Sequence, residues 1–123
     1  MCIRDSDFGN LTPQTFLATA NIIEGIGVSA YLGAAALITN KAYVTAAGSI
    51  LTVEARHNAF FRGNLGMSPF PQPFDIPLDF NQVYSLASPF IKACPADNPA
   101  LPVKAFPTPV SYTHLTLPTK RIV

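Results

Sequence analysis

Apolar residues recur at helical spacing along the first third of the chain, at Phe16, Leu17, Ala20, Ile23, Val28, Tyr31 and Ala35. Thr12-Pro13 stands just before them, a capping residue followed by proline at the first helical position. The pattern predicts a helix over 12–38. It breaks at Thr39-Asn40, where Asn40 is placed to cap a second helix. That helix carries Tyr43, Val44, Ala47, Ile50, Leu51, Val53, Phe60 and Phe61 and stops near Gly63 to Gly66. Two long helices with so short a connection form an antiparallel hairpin, spanning residues 7–66.

The pattern changes at Pro69. Ten of the 12 prolines fall between Pro69 and Pro109, too many for a sheet interior or another long helix. Residues 67–109 therefore read as a proline-rich extension. Within it, Pro69-Phe70-Pro71-Gln72-Pro73-Phe74 is expected to run extended and to wrap its phenylalanines over the helices. Asp79 and Gln82 make a capping box for a short helix over Phe80 to Ala87. Pro99 and Pro102 admit a proline-motif ligand, with packing or a linker the better reading. No internal repeat is present. The fold class is all-α.

Composition narrows the possibilities. Of 123 residues, 49% are apolar and only 12% charged, which excludes a solvated disordered chain and leaves room for one small domain. The run from Ile22 to Ile38 is apolar over 17 residues, short of the roughly 20 that a membrane span needs. Glu24 and several small residues interrupt it, so a tightly packed helix is the better reading and no membrane is expected. A net charge of +1 leaves no basic surplus for a nucleic acid.

The two ends have a composition of their own. Met1-Cys2-Ile3-Arg4-Asp5-Ser6 can be encoded by ATG TGT ATA AGA GAC AG, and the reverse complement of that string reads in frame as Val110-Ser111-Tyr112-Thr113-His114. Residues 1–6 and 110–123 thus look like translated transposase adapter from a sequencing library, and are set aside from the fold. In the remaining 7–109, five basic residues (Lys41, Arg56, Arg62, Lys92, Lys104) face six acidic ones, a net −1. Cys94 is then the only thiol and His57 the only imidazole. The chain is expected to be a piece of a longer protein, of open localisation; the Asn10-Leu11-Thr12 sequon lends secretion slight support.

The chemistry concentrates on very few side chains. The chain has only two glutamates, Glu24 and Glu54, each beside apolar neighbours on its own helix. His57 follows Glu54 by three residues, on the same helix face. Glu24 lies 14 residues before Ile38, and Glu54 14 after Asn40. Each is therefore about 21 Å from the turn at 1.5 Å per residue. An antiparallel hairpin brings Glu24 level with the Glu54/His57 pair, inside the interface. Two carboxylates there repel and lose hydration, and a divalent cation relieves both costs. Oxygen ligands with an imidazole suit iron or manganese. A glutamate plus Glu-x-x-His is half of the ligand set of a di-metal four-helix bundle. The competing reading is a metal-free polar network, with Arg56 or Arg62 paired to the glutamates or His57 bonded to Glu54. Gly25-x-Gly27-x-x-Ala30 lies mid-helix with no strand before it and is no dinucleotide fingerprint. No nucleophile elbow surrounds any serine.

Thr15 to Gly25, with Val28-Ser29-Ala30-Tyr31-Leu32-Gly33-Ala34, resembles the third helix of a ferritin-like family. Ile50-Leu51-Thr52-Val53-Glu54-Ala55-Arg56-His57 resembles the fourth. The family includes plant desiccation-related and fungal stress-response proteins. Ser68 to Asp75 and Asn98 to Pro102 are similar to the fungal C-terminal extension. The resemblance implies a four-helix bundle of which this chain holds one helical pair, with Glu24, Glu54 and His57 at the metal-ligand positions and one glutamate bridging two metals. The other pair, from a missing N-terminal segment or by self-association, would supply a further glutamate and a second Glu-x-x-His. Metal-centred oxidation or peroxide handling is the chemistry such a site implies.

Overall fold

The computed structural model describes residues 5–93 and 100–106. Cys94, Pro99 and the segment 110–123 lie outside the described residues.

Helix α1 runs Pro13–Ala35. Thr12 accepts from the Thr15 amide while the Thr15 hydroxyl accepts from the Thr12 amide at 2.7 Å, so threonine completes a reciprocal cap usually closed by glutamate or glutamine. Helix α2 runs Lys41–Asn64, with the Asn40 side chain accepting from the Ala42 amide at 2.9 Å. Gly66 ends α2 at φ +72, where Met67 N–H donates to the Arg62 carbonyl and Gly66 N–H to that of Gly63. These two bonds form a Schellman motif, which a side chain at Gly66 would strain. Helix α3, Phe80–Ala87, begins with the Asp79/Gln82 capping box. A 3-10 turn, Ser88–Phe90, leads to a short strand.

The two long helices pack antiparallel, as their spacing predicts, and α3 packs on α1. The chain is thus all-α, a helical hairpin followed by an extended region with a short helix. One feature was not foreseen. Asp5–Ser6 (β1) pairs antiparallel with Ile91–Ala93 (β2), in an irregular register. This pairing uses main-chain groups only, which any sequence supplies, so it does not bear on the origin of residues 1–6.

The inner surface of α1 is less apolar than its periodicity implies. Phe16 is 50% and Ile23 38% exposed, whereas Asn21, Gly25, Ile26, Val28 and Ser29 are buried. Asn21, Gly25, Ser29 and Gly33 repeat every fourth residue, and the extension lies against the last two. Leu78 N–H donates to the Ser29 carbonyl at 3.1 Å, and Leu78 is only 3% exposed. The expected phenylalanine wrap is absent: Phe70 is 80% and Phe74 83% exposed. Nor does the stretch run straight as expected: it bends at Pro69 and over Gln72, Pro73 and Phe74, because proline fixes φ but leaves ψ free.

The opposite side of the hairpin is bare. No residue of α2 is buried. Tyr43 and Ile50, like Val53 and Phe60, lie seven apart and are all exposed, as are Phe16 and Ile23 on α1 and Leu37 just beyond its end. A heptad stripe on each helix is the pattern by which helices pack on further helices. By length and composition α1 could also cross a membrane. Asn21 and Glu24, however, both make polar contacts to α2 near its middle.

Candidate functional site

Four cross-helix contacts set the register of the hairpin. Phe16 meets Phe61 edge-on with ring centroids 6.2 Å apart. Asn58 Nδ2 donates to the Asn21 carbonyl at 2.7 Å and to its Oδ1 at 3.0 Å. His57 Nδ1 lies 3.2 Å from Glu24 Oε1. Glu54 packs over Gly27. Glu24 and Gly27 on α1 and Glu54 and His57 on α2 share the same three-residue spacing, so the two pairs interlock. Glu24 is level with His57, and Glu54 sits one turn nearer the connection.

The three side chains differ in their surroundings. His57 is 54% exposed and Glu24 25%, so both sit towards the bare face instead of deep between the helices as the sequence suggests. Glu54 is half-buried, and its Oε2 is inaccessible to solvent without a hydrogen-bond partner. Gly27 makes the room for it. A Cβ at Gly27 would fall on Oε2 and within 2.8 Å of Cδ. Sequence reasoning left this role unassigned, because the glycines read only as points of close helix approach.

Burial raises the Glu54 carboxyl above the usual carboxylate range, the negative charge of Glu24 adds to this, and His57 opposes it. A raised folded value means the native state holds more proton than the unfolded one. This contribution to stability is full below about pH 4.5 and is lost as pH rises through the folded value. For a single group the slope stays under about 1.4 kcal/mol per pH unit. Glu54→Gln is expected to remove that slope and to melt higher than the parent chain at pH 7. Thermal melts of both chains from pH 4 to 8 check it. Identical profiles would mean that the carboxyl is well solvated.

Neither arginine neutralises the acids. Among the described residues the only ion pair is His57–Glu24. Arg62 Nε instead donates to the Ser68 carbonyl at 2.7 Å, tying the start of the extension to α2. Two carboxylates and an imidazole, with one oxygen orphaned, are a donor set that fits a divalent cation of the iron or manganese type. They do not close around one. Among the described residues, no three His, Cys, Asp or Glu side chains stand close enough together to hold an ion. The side chains therefore fit as one wall of a site.

A family model for the ferritin-like domain matches residues 5–67 of the 123. The chain belongs to the ferritin-like domain family. The match covers both long helices and ends where the extension begins, so the similarity of the extension to fungal proteins stands outside it. No curated protein matches the chain. In ferritin-like bundles, metal ligands project inward from facing helices, and here Glu24, Glu54 and His57 occupy adjoining levels of the two helices that the match spans.

Proposed function

We propose that this ferritin-like chain contributes one helical pair to a four-helix bundle and that Glu24, Glu54 and His57 bind iron or manganese there. The observation that carries the reading is the orphaned Oε2 of Glu54, a buried acceptor beside a second carboxylate and an imidazole. Such an atom is costly unless a proton or a cation satisfies it. The bare heptad stripes supply the surface on which a second helical pair docks, whether from a preceding segment of a longer polypeptide or from another copy. A bound ion supplies Lewis-acid and one-electron chemistry. The protein's own part is to hold Glu54 against Gly27, with Glu24 and His57 aligned across the helices. A role in stress or desiccation tolerance follows the resemblance of the helices to those protein groups. Neither a nucleic acid nor a membrane is required, and no residue is assigned a catalytic step.

The second reading is a metal-free polar network in a protective or structural bundle. It is favoured by the 3.2 Å His57–Glu24 contact, which engages two of the three donors with each other, and by the protonation of Glu54 that burial promotes.

Loading the chain anaerobically with Fe(II) or Mn(II), followed by gel filtration, light scattering and elemental analysis, separates the readings. Expected is an associated species retaining on the order of half an equivalent of metal or more per chain, with the metal lost in Glu54→Ala. Retention below about a tenth of an equivalent, with melting unmoved by chelators, leaves the polar network. A monodisperse monomer would contradict the docking role of the bare face.

A further inference from the structure

Residues 69–78 arch over a half-open cavity of about 330 Å³ on the hairpin, lined by none of the three candidate metal ligands. The arch is anchored at both ends, by Arg62 Nε on the Ser68 carbonyl and by Leu78 N–H on the Ser29 carbonyl. Between the anchors it does not pack down. Phe70 and Phe74 border the opening but stay largely in solvent, and the floor is made of small or short side chains: Gly25, Val28, Ser29, Ala55 and Ala59. A space of this size is at the lower end of small-molecule sites and too large to be a packing defect.

The charges around it are unbalanced. Arg56 and Arg62 both line the cavity, with Asp75 the only acid among its lining residues. Among the described residues, neither guanidinium has a carboxylate within ion-pair distance. Arg56 makes no hydrogen bond there, and Arg62 spends only its Nε on Ser68. Arginine suits an oxyanion because its donors form a planar fork. Ile76, Leu78, Pro71 and Pro73 add apolar wall, and Asn58 and Gln72 the remaining uncharged polar groups.

We infer that this cavity binds a small amphipathic organic anion, a carboxylate with a short hydrocarbon tail. The head group lies at Arg56 and Arg62, and the tail runs over Val28 and the alanines beneath the arch. The ligand gives the two guanidiniums the carboxylate partner that neither has among the described residues. This inference goes beyond the proposed metal site and uses none of its three residues.

The test is calorimetric titration of the full chain with sodium octanoate in the presence of a chelator, with 1-octanol and sodium acetate as controls. Octanoate is expected to bind saturably, with a dissociation constant at or below about 1 mM. Octanol, without the charge, and acetate, without the tail, should each bind at least about tenfold more weakly. Arg56→Gln removes a charge without removing any hydrogen bond of the fold, and should weaken octanoate by about three- to tenfold. Methyl resonances of Val28 and Leu78 should shift on titration, while those of Ile50 and Val53 on the bare face stay in place. No saturable binding, equal affinity in Arg56→Gln, or shifts confined to Ile50 and Val53 would each overturn the assignment. The chelator keeps this result independent of metal binding, so the two proposals fail separately.

Discussion

Replacing Gly33 with alanine is expected to destabilise the chain by about 2 kcal/mol and to loosen residues 69–78 from α1. A Cβ at Gly33 would fall on the Leu78 carbonyl oxygen, within 2.8 Å of its carbonyl carbon and 2.9 Å of its nitrogen. All three are main-chain atoms. No rotamer change relieves the contact, and the chain itself must move. Moving it breaks the Leu78–Ser29 hydrogen bond and uncovers a leucine that is 3% exposed. Gly48 provides the control. It also lies mid-helix, but a Cβ there meets nothing within 4 Å. Gly48→Ala should therefore stabilise by up to about 1 kcal/mol, through helix propensity alone. The two substitutions are chemically identical and are expected to differ in sign. Urea denaturation of both variants, with hydrogen exchange at the Leu78 amide, measures the effect. Equal shifts in the two would show that the extension does not lie on Gly33.

The contrast between these glycines explains what was legible in the sequence. Signals carried by neighbouring residues came through. Thr12-Pro13, Asn40, Gly66 and the Asp79/Gln82 box mark helix ends because capping bonds close within a few residues. The hairpin register was legible because a short connection and a fixed rise per residue leave little freedom. It brings Glu24 level with the Glu54/His57 pair, and the structure narrows this to His57 at 3.2 Å, with Glu54 over Gly27 one turn nearer the connection.

What did not come through depends on contacts distant along the chain. Periodicity pointed to Val28, which is buried, but also to Phe16 and Ile23, which are exposed, while Asn21, Gly25 and Ser29 are buried beside Ile26 and Val28. A hydropathy pattern cannot distinguish the face that awaits further helices from the face covered by its own chain. Both are apolar or small. The covering segment, Pro69 to Leu78, has no periodicity of its own, so its path over Ser29 and Gly33 is decided only by where a backbone can approach. Glu54 shows the same limit. Its spacing from His57 is visible in the sequence, but the vacancy above Gly27 that receives its carboxylate is a property of two helices together.

Asn58 is where the second large effect is expected. Its Nδ2 donates to both the carbonyl and Oδ1 of Asn21, a residue 6% exposed. Asn58→Ala takes away the donor and leaves Asn21 Oδ1 buried without that partner, at a cost of about 2 kcal/mol. Asn58→Asp should cost at least as much, since an acceptor then faces two acceptors one turn from Glu24. Replacing both residues by leucine removes the polar requirement altogether, and stability should return to within about 1 kcal/mol of the parent. The double replacement has a second consequence. The Asn21–Asn58 pair lies one turn from Glu24 on α1 and next to His57 on α2, so it pins the register that makes Glu24 meet His57. A buried polar pair satisfied in a single alignment resists helix slippage, whereas two leucines pack almost as well after a shift. The leucine pair should therefore fold stably yet weaken the cross-helix contact, read as loss of the nuclear Overhauser effect between the His57 ring and the Glu24 side chain. If that contact persists undiminished, alignment is set elsewhere, by the Phe16–Phe61 pair or by the short connection itself.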